Sequence, residues 1–263
     1  MIHEYLTYLQ NNKGLSANTL IAYRKDLKAF VTWAAPKGLR WSTITRQDIE
    51  EYIGQLHISA ATTRRKISAI RQLFNWMHHE GLLDQNVARY LQSPKAPEQL
   101  PQAADGEVIE RYLALSATTS QRETIQAVVA LIRDTGLRIQ ECLDLRITDM
   151  SAKAHTIKVR GKGNKERIVY YTDAVIPYLA KVYGRRENYL IPVGSQRTIR
   201  QMMAAELGTH PHAIRHLFAT DLVNKGASLT AIGHLLGHKS TSTTERYAKV
   251  ANTFAQQQYT MYH

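Results

Sequence analysis

The sequence predicts a mainly α-helical protein with one small β-sheet, an α+β chain of two domains. Three observations carry this. Capped apolar stripes at helical spacing fill the first hundred residues. The period changes to strict alternation once, between His155 and Tyr171. A polar stretch with three prolines, residues 92–101, separates two apolar regions. The division is residues 1–92 as a helical domain, 93–101 as a linker and 102–263 as a larger domain with a C-terminal tail.

Taken in order, Ser16 can cap a helix carrying Leu20, Tyr23, Leu27, Phe30 and Val31 as its stripe, with Leu15 and Leu20 in staple positions. Thr45 and Asp48 have capping-box spacing, flanked by Ile44 and Ile49. A third helix runs from about Ser59 to His79, with Gly81 as its stop. Ile67, Ile70, Phe74 and Met77 make its apolar face. Arg64, Ser68, Arg71 and Asn75 share another face, flanked by Arg65 and Lys66, and no acid follows until Glu80. Such a face suits a phosphate backbone; a solvated surface helix is the plainer alternative.

In the second domain, helices are expected from Asp105 or Gly106, from Gln121 to Thr135 with Gly136 as stop, and from Arg138 with Glu141 one turn on. Arg138 could simply pair with Glu141. Thr156–Arg160 and Arg167–Tyr170 alternate around the Gly161-Lys162-Gly163-Asn164 turn, which predicts a hairpin. Further helices are expected at Asp173–Tyr183, Thr198–Glu206 and from Pro211 to Asn224, where Pro211 suits a first turn. The last of these carries His212 and Arg215 on one face of its opening turn. Ser228 can cap the next helix, which Gly233 would weaken by about 1 kcal/mol relative to Ala. His238 follows Gly237, Tyr247 stands nine positions later, and a final helix is expected from Ala248 to His263.

Composition narrows the function. The net charge is +12, and both regions share it: 13 Lys and Arg against 8 Asp and Glu in residues 1–100, and 21 against 14 beyond. A polyanion touching both domains is the natural partner, nucleic acid first among them. One cysteine, Cys142, excludes an internal disulfide framework and points to a reducing compartment. The chain shows no signal-like or membrane-spanning stretch, so a cytoplasmic protein is expected.

The chemistry-bearing residues can be sorted by elimination. His212/His216 and His234/His238 have i, i+4 spacing but enclose no glutamate of a metal-binding helix. There is no serine-nucleophile elbow, and Gly161-Lys162-Gly163 lacks phosphate-loop spacing. Phosphodiester transfer remains. Its transition state spreads negative charge that two guanidiniums can hold bidentately and without deprotonating. Tyr247 could attack, helped by a histidine, with Lys162 as acid.

Thr-Gly-Leu-Arg138-x-x-Glu141, Gly-Lys162-Gly-Asn-Lys-Glu-Arg, Pro-His212-Ala-Ile-Arg215-His, Leu-Leu-Gly-His238 and Tyr247 occur in one order and spacing. In this the chain resembles the tyrosine recombinases, the phage integrase family, and its Xer-like branch in size and layout. The resemblance covers nearly the whole chain. It implies a helical core-binding domain at residues 1–95 and a tyrosine-recombinase catalytic domain after it. It implies that Arg138 and Arg215 clamp the scissile phosphate, His238 bonds a non-bridging oxygen and His212 takes the tyrosine proton. Lys162 would protonate the leaving 5′ oxygen, and Tyr247 would form a 3′-phosphotyrosyl bond. Glu141 would be a structural partner. Arg64, Arg65, Lys66, Arg71 and Lys165 are candidate DNA contacts. The implied enzyme is a site-specific DNA recombinase working through a Holliday junction without metal, ATP or other cofactor. It would assemble as a tetramer on double-stranded DNA sites in the cytoplasm at the nucleoid, with a second recombinase or accessory protein as a possible partner. A type IB-like topoisomerase and a non-catalytic DNA-binding relative are the alternatives.

Overall fold

The computed structural model describes residues 1–15, 17–94, 103–161 and 166–237. The chain divides into two compact units, Met1–Gln99 and Leu100–His263. Among the described residues no helix is long and apolar enough to cross a membrane.

The first unit is helical: α1 (Ile2–Lys13), α2 (Ala17–Ala34), α3 (Arg46–Gly54) and α4 (Ala60–His79). The expected cap of α2, Ser16, lies outside the described residues. Leu15 and Leu20 both pack on the edge of the core. The capping box of α3 forms: Thr45 Oγ1 accepts from the Asp48 amide, and the Asp48 carboxylate accepts from the Thr45 amide at 2.8 Å. Ser59 caps α4, and Gly81 follows it at φ 70°. Ile67, Ile70, Phe74 and Met77 are fully buried, as the stripe predicts, against Leu27 and Phe30 of α2 and Ile49 of α3. Each such side chain contributes roughly 1.5–3 kcal/mol by leaving water.

The second unit is built around α6 (Ser120–Thr135), whose residues from Thr124 to Ile132 are all buried. Packed around it are α5 (Gly106–Ala114), α8 (Ile176–Val182), α9 (Gln196–Leu207) and α10 (Pro211–Asn224). Asp105 caps α5 through the Glu107 and Val108 amides. The short α7 (Ile139–Asp144) leaves the C-terminal end of α6. The expected hairpin is β2 (Thr156–Arg160) and β3 (Glu166–Tyr170), antiparallel with Ile157 opposite Val169. A third strand the alternation did not reveal, β1 (Met150–Ser151), pairs with β2; two residues are too short to show a period.

Two expected helices differ in extent. Asp173–Val175 is a 3-10 turn, and the α-helix proper begins at Ile176 because Pro177, without an N–H, fits only a first turn. α9 starts two residues earlier than expected because Ser195 caps it, its hydroxyl accepting from Thr198. The last described helix, α11 (Leu229–Leu236), is capped by Ser228 and runs through Gly233. It packs on α10 in a small separate cluster of Ala219, Ile232 and Leu236. The expected C-terminal helix lies outside the described residues.

Candidate active site

The site is organised on one buried carboxylate. Glu141 sits in the first turn of α7 with its side chain 6% exposed. Its oxygens accept four hydrogen bonds. The Arg138 amide and Arg138 Nη1 donate at 2.8 and 2.9 Å, and Arg167 of β3 donates bidentately through Nη1 and Nη2, both at 2.8 Å. Four bonds use all the acceptor directions of a carboxylate. Arg215 Nη1 stands 3.9 Å away as a further ion partner. Burial pushes the Glu141 carboxyl up, but the bonds from Arg167 and Arg138 outweigh it and hold the pKa below the ordinary value. A carboxylate so occupied stays ionised and has no lone pair left for acid–base work.

Arg215 lies in the opening turn of α10 and is 2% exposed. Its Nη1 donates to the Gly136 carbonyl at 2.6 Å and its Nη2 to the Leu236 carbonyl at 2.7 Å. Those carbonyls end α6 and α11, so two helix C-termini, each with its partial negative charge, face one guanidinium. Arg138 Nη2 donates to the Gly237 carbonyl at 3.2 Å and Arg167 Nε to the Leu235 carbonyl at 3.3 Å. Three successive carbonyls at the end of α11 are thus taken by three different arginines.

Two motif glycines follow from this packing. Gly136 has φ 66°, and a Cβ there would lie 2.4 Å from the Phe218 ring. Gly237 has φ 63°, and a Cβ would meet the Arg167 side chain at 3.1 Å. Both positions need the left-handed backbone that glycine favours; at Gly136 a side chain would also clash with Phe218, and at Gly237 it would press on Arg167.

Arg138 is the outward member of the cluster, its side chain 42% exposed. It lines a depression of about 410 Å³ together with Gln140, Gln196, Arg200, His210, His212 and Arg215. His212 reaches solvent while its ring packs edge-on to His216, centroids 4.5 Å apart. Partial burial, then the nearby Arg215, His210, Arg138 and Arg200, hold its pKa below the ordinary 6.5. The shift favours the uncharged imidazole at His212, in a recess also lined by the permanent cations Arg138, Arg200 and Arg215. Among the described residues no group of three His, Cys, Asp or Glu side chains could hold a metal ion.

The fold brings together four of the expected site residues: Arg138, Glu141, His212 and Arg215. Lys162, Lys165, His238 and Tyr247 lie outside the described residues. Three participants were missed. In the sequence Arg167 stands only as part of a motif, although its place two residues before Val169 on an alternating strand is a signal that it shares the inward face. Arg200 and His210 line the depression; His210 also caps α10, Nδ1 accepting from the Ala213 amide at 3.1 Å.

The expected DNA-contact face lies on α4. Arg64 is exposed there. Arg65 pairs with Asp26, Lys66 Nζ lies 3.4 Å from the same carboxylate, and Arg71 donates to the Leu91 carbonyl. Much of that charge is therefore engaged inside the unit.

Comparison with known proteins places this architecture. Residues 103–253 match the phage integrase family, and residues 2–81 match the phage integrase N-terminal SAM-like domain. Tyrosine recombinase XerD of Staphylococcus haemolyticus is 32% identical over 289 residues, covering 100% of this chain and 98% of the relative. Tyrosine recombinase XerC of Lactobacillus delbrueckii subsp. bulgaricus is 33% identical over 279 residues, covering 94% and 93%. In fold the chain is similar to XerH site-specific recombinase bound to palindromic difH substrate in a post-cleavage complex, with a TM-score of 0.77, 19% identity and coverage of 99% and 84%. A lambda integrase dimer bound to a COC′ core site gives a TM-score of 0.70, 20% identity and coverage of 94% and 93%.

Proposed function

The chain belongs to the phage integrase family, and from that premise we propose that it is a site-specific DNA recombinase of the tyrosine type. The observation that carries the reading is the meeting of Arg138, Arg215 and a neutral His212 at one depression. In this reading the scissile phosphodiester enters the depression. Two guanidiniums bear the charge that grows on its non-bridging oxygens. Tyr247 attacks phosphorus as its proton passes to His212. The bond to the 5′ oxygen breaks, and that oxygen takes a proton from Lys162. His238 donates to a non-bridging oxygen. The 3′-phosphotyrosyl ester keeps the bond energy of the broken linkage, so a 5′ hydroxyl can reverse the reaction without a nucleotide cofactor.

The substrate is double-stranded DNA, gripped in part by exposed Arg64 and by Lys165, with Arg65, Lys66 and Arg71 adding positive potential from behind their contacts inside the unit. Four protomers assemble on two sites and exchange strands in pairs through a Holliday junction, with a second recombinase or accessory protein as a candidate partner. The cytoplasm, at the nucleoid, is the expected setting.

The test uses a library of nicked duplexes of randomised sequence, screened for protein–DNA adducts that survive denaturation. Adducts with the wild-type chain and none with Tyr247→Phe support the reading; no adduct from any duplex overturns it. Plasmid relaxation without recombinant products would move it to a topoisomerase. Lys162→Ala should slow cleavage of ordinary DNA far more than cleavage of a duplex with a 5′-bridging sulfur, whose thiolate leaves without a proton. Equal losses would remove Lys162 from the acid's role.

A further inference from the structure

We propose that Arg167 is a positioning residue for the clamp, the group that fixes where Arg138 and Arg215 can hold a phosphate. The proposal rests on the recombinase reading for its kinetic consequence but not for its structural one. Neither clamp arginine is held by its own element alone. Arg138 depends on the Glu141 carboxylate and the Gly237 carbonyl, and Arg215 on the carbonyls of Gly136 and Leu236. Arg167 touches both supports at once. Its two Nη atoms fork onto Glu141, and its Nε bonds the Leu235 carbonyl one residue before the carbonyl Arg215 uses. Its side chain also lies against the bare backbone of Gly237.

The charge balance explains why a third guanidinium is tolerated in so crowded a place. Three cations surround one carboxylate, leaving a local excess of positive charge. The surplus repulsion is offset by the carbonyls at the ends of α6 and α11 and by the outward exposure of Arg138. Arg167 is only 16% exposed and is not one of the residues that line the depression, so its part here is not to meet the phosphate itself. Its work is to hold the carboxylate at a set angle. With both carboxylate oxygens fixed by the fork, the remaining lone pairs point toward Arg138. Without it, Glu141 can rotate, Arg138 can collapse onto the freed oxygen, and the end of α11 loses one of its three anchors. Arg167 also belongs to β3, so it ties the β2–β3 hairpin to the clamp.

Two measurements test this. The first needs no substrate: guanidinium ¹⁵N–¹H spectra of the full chain, assigned with Arg138→Lys and Arg215→Lys. In the wild type, Arg215 and Arg138 should show resolved Nη–H signals, which require a guanidinium held against rotation. Arg167→Gln should broaden both while the amide spectrum remains that of a folded protein. Unchanged Arg138 and Arg215 signals in Arg167→Gln would overturn the proposal, whatever the enzyme does. The second is a double-mutant cycle in single-turnover cleavage at saturating DNA, using a duplex recovered from the adduct library. Arg167→Gln should lower the rate ~10- to 100-fold with the duplex Kd changed less than about threefold. In the Arg138→Ala background the same substitution should cost less than about threefold, because the group it positions is gone. Arg167→Lys, which keeps the charge but not the fork, should resemble Arg167→Gln. Additive losses, or full rescue by Arg167→Lys, would show a general structural or charge role and overturn the proposal.

Discussion

Among the described residues, each unit of this protein buries one carboxylate among cations, and the two solutions differ. Asp26 of α2, 2% exposed, meets Arg65 and Lys66 of α4. Glu141 meets Arg138, Arg167 and Arg215. At Asp26 the pairing fastens two helices together, and the surplus charge of Arg65 stays at the surface. At Glu141 the cations outnumber the carboxylate further, two of them are nearly enclosed, and helix C-termini supply the missing negative charge. The first arrangement is a fastener made of charges. The second stores positive potential beside a depression, and that makes it a place to receive an anion.

The contrast can be broken first at Arg215. Arg215→Lys keeps the charge but cannot bond the Gly136 and Leu236 carbonyls together. Cleavage should fall by about 10²–10³ in a single-turnover assay. A loss of only a few fold would mean that charge, not the fork, matters here. Next comes Glu141→Gln. It leaves Arg215 and Arg167 buried without their counter-charge and should cost roughly 3–5 kcal/mol in denaturant unfolding. A change under about 1 kcal/mol would show that the helix termini alone suffice. Asp26→Asn sharpens the comparison from the other side. Of its two partners Arg65 is 40% exposed, so water can take over there, while Lys66 is 13% exposed and keeps part of the cost; the loss should be nearer 1–3 kcal/mol. The cleavage rate at saturating DNA should not change; a large drop would give Asp26 a role beyond fastening.

The smallest effect is in pH dependence. His212 has its folded pKa below 6.5, so it holds fewer protons than in the unfolded chain just under that value. Its contribution to stability is therefore intact above pH 6.5 and is lost as pH falls through the window below. The acid limb of the cleavage profile should likewise lie below 6.5 and vanish in His212→Gln. A limb centred at or above 6.5 would contradict the neutral-imidazole assignment.

Much of the frame was legible. Thr45, Ser59, Asp105 and Ser228 announced helix starts because a capping side chain acts over three residues, within reach of local reading. The stripe Ile67, Ile70, Phe74 and Met77 named its own buried face. The sequence leaves Arg138 and Glu141 as either a clamp element or a salt bridge, and the structure shows the bridge while Arg138 also lines the depression. Arg167 escaped because its meaning is tertiary: it is 26 residues from Glu141 and 68 from Leu235. The polar face of α4 read as solvent- or DNA-facing, yet Arg71 turns to a carbonyl 20 residues away for the same reason. Local rules see partners one turn apart and miss those supplied by folding.

The end of α11 sets a limit on how this protein can change. Leu235, Leu236 and Gly237 offer their carbonyls to three different arginines in strict succession. An α-helix turns ~100° per residue. One residue inserted or deleted within α11 would present each arginine with an oxygen pointing elsewhere. Length drift is ordinarily tolerated where a helix gives way to a connection. Here the last turn acts as a keyed fitting, and α11 can be substituted along its faces but not lengthened or shortened by a single step.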